Sequence, residues 1–370
     1  MYLTERLAGV GLYAIVIVVF YALLGRADRK NAGKILFLCS LALTLMAYFY
    51  VPSKTADIAR LTDMAENWKD TKFIPFIRYA IHNSKTPLGT IYLYLNQKYL
   101  GKGAISASAA FITYNCSFFV LSDYARRNNS SSADIAFSFF TLMSAGIFIE
   151  VISGVRSLMA LTISAVAVYR YHFCRRNYLI DILLYVVAAL IHPAALAIIA
   201  LHIMSVILDF SMLSVNRIIA FAAAVVVLIL FRNQIFPYVS YGVSKFMRYL
   251  TRRYYSYKWE YLIRTVSLIM MTYILYVYGR NQAIQKEEIR GYLSFLILMT
   301  AAELVTISEF STYNRLVSVQ ITMIQPVLLA ILDDPDSGNR FRWLIVLLSL
   351  VCLFIACARG NLSGYKFFVL

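Results

Sequence analysis

The stretch Leu7-Ala8-Gly9-Val10-Gly11-Leu12-Tyr13-Ala14-Ile15-Val16-Ile17-Val18-Val19-Phe20-Tyr21-Ala22-Leu23-Leu24 runs 18 residues without a charge. It then gives way to Gly25–Lys34, where Arg26, Arg29, Lys30 and Lys34 stand against Asp28. About 20 apolar residues in a helix cross the hydrocarbon of a bilayer, and Lys and Arg hold the following loop on the cytoplasmic side. Further along, Ile35–Val51, Leu293–Ile307 and Trp343–Ala358 repeat the pattern. Of the 370 residues, 61% are apolar or aromatic and 15% are charged, whereas soluble domains run at about 45–50% and about 25%. The chain therefore reads as an all-α, polytopic integral membrane protein. That excludes a cytosolic enzyme, a secreted disulfide scaffold and a disordered chain.

The net charge is 35 − 19 = +16. Much of it sits in short loops between apolar spans, so it reads as topology, and no nucleic-acid partner is expected. Cys39, Cys116, Cys174, Cys352 and Cys357 form no CxxC pair, and with four scattered histidines no metal site is expected. No cofactor is expected either. The first span is too long for the apolar core of a cleavable signal peptide, and no small-residue cleavage site follows it.

The spacing predicts about twelve spans in one membrane domain over residues 1–370. The N-terminus is placed outside by the basic loop after the first span. Ser53–Lys85 mixes both signs and reads as an external loop with short surface helices; Pro87–Leu100 reads as a half-span or interfacial helix, so the external region covers 53–103. Spans follow at Ala104–Ser122, at Asp134–Ser153 and from Gly154 to about Tyr171. Two short ones, Leu179–His192 and Ala194–Leu208, are parted by Pro193. Further spans are expected at Ile218–Phe231, Tyr261–Tyr278, Gly291–Ser308, Arg315–Leu332 and up to Ala358. A second external loop is expected at 232–260.

The expected outer face carries charges that the positive-inside rule does not explain. Phe246–Lys258 combines Arg248, Arg252, Arg253 and Lys258 with Tyr249, Tyr254, Tyr255 and Tyr257. Guanidinium forks bind phosphate, and tyrosine rings suit sugars. An interfacial aromatic belt with snorkelling arginines is the alternative of comparable weight, and the opposite sidedness for this loop is a lesser one. Arg156 opens a span, where free backbone N–H groups already attract anions. Glu150, one and a half turns earlier, is a candidate partner for it. His192 sits against Pro193 in a broken segment, a feature tolerated at membrane depth where it lines a cavity. Glu303 falls mid-span. Glu309 and Tyr313 precede Arg315 at the next span's start. Asp57 and Arg60 follow the second span. Ionisable groups in or beside spans default to function, although balancing a neighbouring charge is the plainer role for the two glutamates.

Gly154-Val155-Arg156-Ser157-Leu158-Met159-Ala160 resembles the Gly-x-Arg-x-x-x-Ala span start of the EpsG-type family of Wzy-like polysaccharide (O-antigen and exopolysaccharide) polymerases. Ile191-His192-Pro193-Ala194-Ala195-Leu196 is similar to that family's His followed by small residues. Asp57 corresponds to its external Asp, although the chain continues Ile58-Ala59-Arg60-Leu61 without the family's Tyr. Arg315 and the tyrosine-rich loop also match in position. The resemblance implies a multi-span, GT-C-like glycosyltransferase in the bacterial plasma membrane, with its active site facing outside or the periplasm. It implies transfer of a glycan from undecaprenyl pyrophosphate to a lipid-linked repeat unit, with a chain-length regulator and a flippase as partners. Arg156 and Arg315, then Arg248, Arg252, Arg253, Arg60 and Tyr313, are the expected substrate contacts. His192, Asp57, Glu303 and Glu309 are the expected bases or charge partners. A lipid-linked oligosaccharide flippase and a glycan ligase remain the alternatives. A flippase would spread charges along a central path, often with internal repeats. A membrane O-acyltransferase would want its His toward the cytoplasm.

Overall fold

The computed structural model describes residues 2–52, 56–146, 148–174, 177–208, 258–281, 287–334, 339–358 and 366–367. The expected span Ile218–Phe231 and Arg248, Arg252 and Arg253 lie outside the described residues.

The first two helices, α1 (Tyr2–Arg26) and α2 (Ala32–Tyr48), are the apolar runs read from the sequence. Three shorter helices follow: α3 (Asp57–Glu66), α4 (Phe73–Asn83) and α5 (Pro87–Leu100). The bounds of α5 coincide with the segment expected as a half-span, and Pro87 occupies its first turn, where a missing N–H costs nothing. The long α6 (Gly103–Asn128) ends at Asn129, whose φ of 57° lets the chain turn left-handed at the cap. Ser131 then caps α7 (Ser132–Ala145) by accepting from Asp134 N. The bundle continues with α8 (Phe148–Ser153), α9 (Val155–Phe173), α10 (Tyr178–Ile191) and α11 (Ala195–Leu208). It closes with α12 (Lys258–Arg280), α13 (Glu287–Thr306), α14 (Phe310–Met323), α15 (Gln325–Leu332) and α16 (Asn339–Ala358). Two short strands, β1 (Tyr50–Val51) and β2 (Lys366–Phe367), pair antiparallel with Tyr50 opposite Phe367.

Of the expected crossings, seven helices among the described residues are long and apolar enough to span a membrane, the continuous Phe310–Leu332 (α14 and α15) among them. Ser132–Ala145, Tyr178–Ile191 and Ala195–Ile207 are shorter apolar helices. The segment expected as one span over Asp134–Ser153 is instead broken at Gly146, between α7 and α8. The freed carbonyl of Ala145 does not go unpaired, because Arg264 Nη1 donates to it at 3.0 Å.

The loops expected in the cytoplasm gather at one end of the bundle. Arg29 Nη1 donates to Asn129 O (3.2 Å), Ser132 Oγ to Ala27 O (2.7 Å) and Arg127 Nη1 to Phe173 O (3.3 Å). Ser130 Oγ donates to Asp333 (3.0 Å), and Arg342 ion-pairs with Asp134 (2.9 Å). Residues 310 to 332 run as continuous helix away from that end, and 23 helical residues cover about 34 Å. Glu309 and Arg315 therefore belong to the opposite end.

Candidate functional site

At this opposite end α5 lies between α6 and α10, with Gly89 at the closest approach. A β-carbon on Gly89 would overlap the carbonyl oxygen of Ile191 and lie 3.2 Å from Arg156 Cδ. Only glycine allows this contact. It brings the start of α9, with Arg156, against the end of α10, with His192, although the two residues are 36 positions apart. Burial pushes the Tyr92 hydroxyl's pKa up, so it stays neutral and donates to Ile105 O, holding α5 on α6.

Arg156 is the second residue of α9 and is half-buried. The turn before it is tight: Gly154 N–H donates to Glu150 O at 2.8 Å. No side chain caps α9, so the backbone N–H groups of its first turn add to the charge of Arg156. His192 is buried at the C-cap of α10, and its Nδ1 accepts from Ala194 N–H at 3.1 Å. A backbone amide cannot accept, so Nδ1 carries the lone pair and neutral His192 bears its proton on Nε2.

Behind this pair lies a charged cluster. Arg264 on α12 is fully buried. It donates through Nη2 to Glu150 (2.5 Å), through Nε to Asn314 Oδ1 (2.5 Å) and through Nη1 to Ala145 O. Glu150 also accepts from Ser318 Oγ at 3.1 Å. The Glu150 carboxylate, a candidate partner for Arg156, is ion-paired to Arg264, 114 positions away in sequence. Glu303 and Tyr313 lie within electrostatic range of Arg264. Glu303 is buried, and the Gln320 amide, turned to satisfy both its polar atoms, donates to that carboxylate and accepts from Thr300 Oγ1 at 2.7 Å. A cavity of about 40 Å³, lined by Thr113, Ser117, Thr162, Ser318 and Thr322, adjoins the cluster. Most of its wall is apolar, contributed by residues such as Leu142, Val151, Leu158 and Ile321, and these hydroxyls stand in it where a water-sized molecule fits.

The remaining sequence candidates fall in distinct places. Glu309 is the N-cap of α14, accepting from Ser311 N (3.2 Å) and Thr312 N (2.6 Å) while fully buried. Tyr313 is buried and stacks on Tyr261 at 6.1 Å. Arg315 is half-buried on α14, adjacent in sequence to the Asn314 that Arg264 holds. Asp57 and Arg60 form an exposed pair (3.2 Å) along α3, which packs on α5 and α8. Arg264 was not among the residues singled out from sequence, although an arginine three residues into Tyr261–Tyr278 is the kind of intramembrane charge that signals a site. Among the described residues no cluster of three or more His, Cys, Asp or Glu could hold a metal.

The fold defines a polytopic helical membrane protein, in which Gly89 lies against both Arg156 and the end of α10 at the end of the bundle opposite its basic loops. The family model described as the EpsG family matches residues 90–368, and the chain belongs to that family, one of polysaccharide polymerase-type membrane proteins. The match takes in Arg156, His192, Arg264, Glu303, Glu309 and Arg315; Asp57 and Arg60 precede it. No curated protein and no solved structure matches the chain.

Proposed function

We propose that this protein is a GT-C-like polysaccharide polymerase of the bacterial plasma membrane. It transfers a glycan from undecaprenyl pyrophosphate to the sugar of a second lipid-linked repeat unit at the outer or periplasmic face. The observation that carries the reading is the closure at Gly89, which joins the Gly-x-Arg turn to His192 in a chain of the EpsG family.

Arg156 binds the donor pyrophosphate with the N-terminal amides of α9, and Arg315 supplies a second guanidinium. The acceptor hydroxyl attacks the anomeric carbon. The bond from that carbon to the phosphate oxygen breaks, and the charge left on the pyrophosphate is stabilised by the arginines. With its proton on Nε2, His192 donates to this leaving group rather than acting as the base. The hydroxyl proton passes to a carboxylate. Glu309 is committed to capping and Glu303 to Gln320, which leaves Asp57, exposed on α3, as the favoured base. Arg248, Arg252 and Arg253 contribute phosphate or glycan contacts, and Arg60 and Tyr313 border the acceptor side. A flippase feeds the site with substrate and a chain-length regulator sets product size.

The test is purified protein in nanodiscs, given an undecaprenyl pyrophosphate-linked repeat unit from its host. A ladder of products on a gel supports polymerisation. Substrate moved across the bilayer without a ladder would make the protein a flippase, and a single transfer to a non-repeat acceptor would make it a ligase.

A further inference from the structure

The segment 72–85 reads Lys-Phe-Ile-Pro-Phe-Ile-Arg-Tyr-Ala-Ile-His-Asn-Ser-Lys and contains no acidic residue. Its helix, α4, has two apolar faces. Phe76 and Ala80 form the inner one, buried with Phe76 stacked on Tyr94 at 3.9 Å. The other consists of Phe73, Ile74, Ile77 and Ile81, which share a stripe about 100° wide. That stripe points away from the bundle, with Phe73 46%, Ile74 68% and Ile81 56% exposed. Arg78 and His82 border it in a shallow groove with Tyr79, and Lys72 stands at the helix start. A helix with an outward apolar stripe edged by cations matches an interfacial helix lying in a headgroup layer.

The level of α4 agrees with this. Tyr94 Oη and Lys98 Nζ both donate to Thr71 O, at 2.7 and 2.5 Å, which ties the start of α4 to the end of α5. The next residues of α5, Tyr99 and Leu100, are exposed, and Tyr48 Oη donates to Leu100 O at 3.3 Å. Tyr48 is the last residue of spanning helix α2 and is followed by the exposed Phe49. This aromatic group sits where a span leaves the bilayer, the usual depth of an interfacial belt.

We infer that α4 is a monotopic anchor, with Phe73, Ile74, Ile77 and Ile81 in the acyl boundary and Lys72 and Arg78 on anionic lipid phosphates. The anchor holds the α3–α5 layer against the leaflet at the site's end of the bundle. This holds whether or not the protein is a polymerase.

The test uses the full chain, purified into nanodiscs of mixed phosphatidylglycerol and phosphatidylcholine, with the photo-reactive amino acid p-benzoylphenylalanine at Ile74, Ile81 or, as a control, Lys69. Mass spectrometry should find lipid adducts at 74 and 81 and none at 69, with phosphatidylglycerol over-represented. Lys72→Gln and Arg78→Gln should each reduce that enrichment, by up to about fivefold. Water-quenched probes at 74 and 81 would overturn the inference. So would adducts to a second copy of the chain, because then protein rather than lipid covers the stripe. Lipid adducts without phosphatidylglycerol enrichment would overturn the phosphate contacts.

Discussion

Arg264→Leu removes three donated hydrogen bonds at once, those to Glu150, Asn314 and Ala145 O. Arg264 is fully buried and the Glu150 side chain is 14% exposed, so the carboxylate left behind has little water to replace its partner. Breaking a buried pair from one side costs about 3–5 kcal/mol. Ser318 still donates to Glu150, which places the expected loss toward about 3 kcal/mol. Glu150→Leu should cost a similar amount, since it strands a buried guanidinium. Removing both charges together should recover much of the loss, because replacing a buried pair by apolar side chains is often neutral. Denaturant unfolding in detergent can be followed with a thiol-reactive dye that reports exposure of Cys39 and Cys352, both fully buried. The cycle should give a coupling of at least about 3 kcal/mol, since each single loss is about that size and the double variant loses less than either. Single variants that add to within about 0.5 kcal/mol would refute the network. So would an Arg264→Leu protein as stable as the parent.

Gly89→Ala should force α5 away from the Ile191 carbonyl, costing about 1–3 kcal/mol and abolishing product, measured by thermal unfolding beside the polymerisation assay. Glu309→Ala should lose about 1 kcal/mol of cap energy, whereas Glu309→Ser should retain both stability and product; loss of product with stability intact would make Glu309 the base instead. Arg60→Ala should change stability by less than about 0.5 kcal/mol, because its pair with Asp57 is exposed to screening solvent. Arg156→Lys should fold normally yet polymerise poorly, since an ammonium cannot reproduce a fork to phosphate; full activity in a product ladder would remove Arg156 from the site.

The helices were legible because uncharged runs of spanning length, and the basic loops after them, are local features. Pro87 and Gly101 bound α5 in the sequence as they do in the structure. The break of Asp134–Ser153 was not legible, since Gly146 alone does not end a helix in an apolar run. What permits it is a carbonyl bond from Arg264, which lies 119 positions away. Distance in sequence likewise hid Arg264 as a partner of Glu150, because nearness along the chain points to Arg156, whereas Arg264 lies 114 positions away. Glu309, read from sequence as a base or a charge partner, caps α14 by accepting from the Ser311 and Thr312 amides, a role that neither charge nor hydropathy announces. The meeting of Arg156 with the end of α10 turns on one missing β-carbon at Gly89, which no pattern of charge or hydropathy announces.

The central claim is that a chain of this family joins glycans through a site containing Arg156 and Arg315. The most direct measurement gives purified wild type, Arg156→Ala and Arg315→Ala in nanodiscs the carrier-linked repeat unit, then counts both ladder length and undecaprenyl pyrophosphate released. The account predicts one carrier released per glycosidic bond for the wild type, and loss of both signals in folded variants. A ladder and carrier release that survive both substitutions would contradict the site. Folded wild-type protein that consumes no donor would contradict the function.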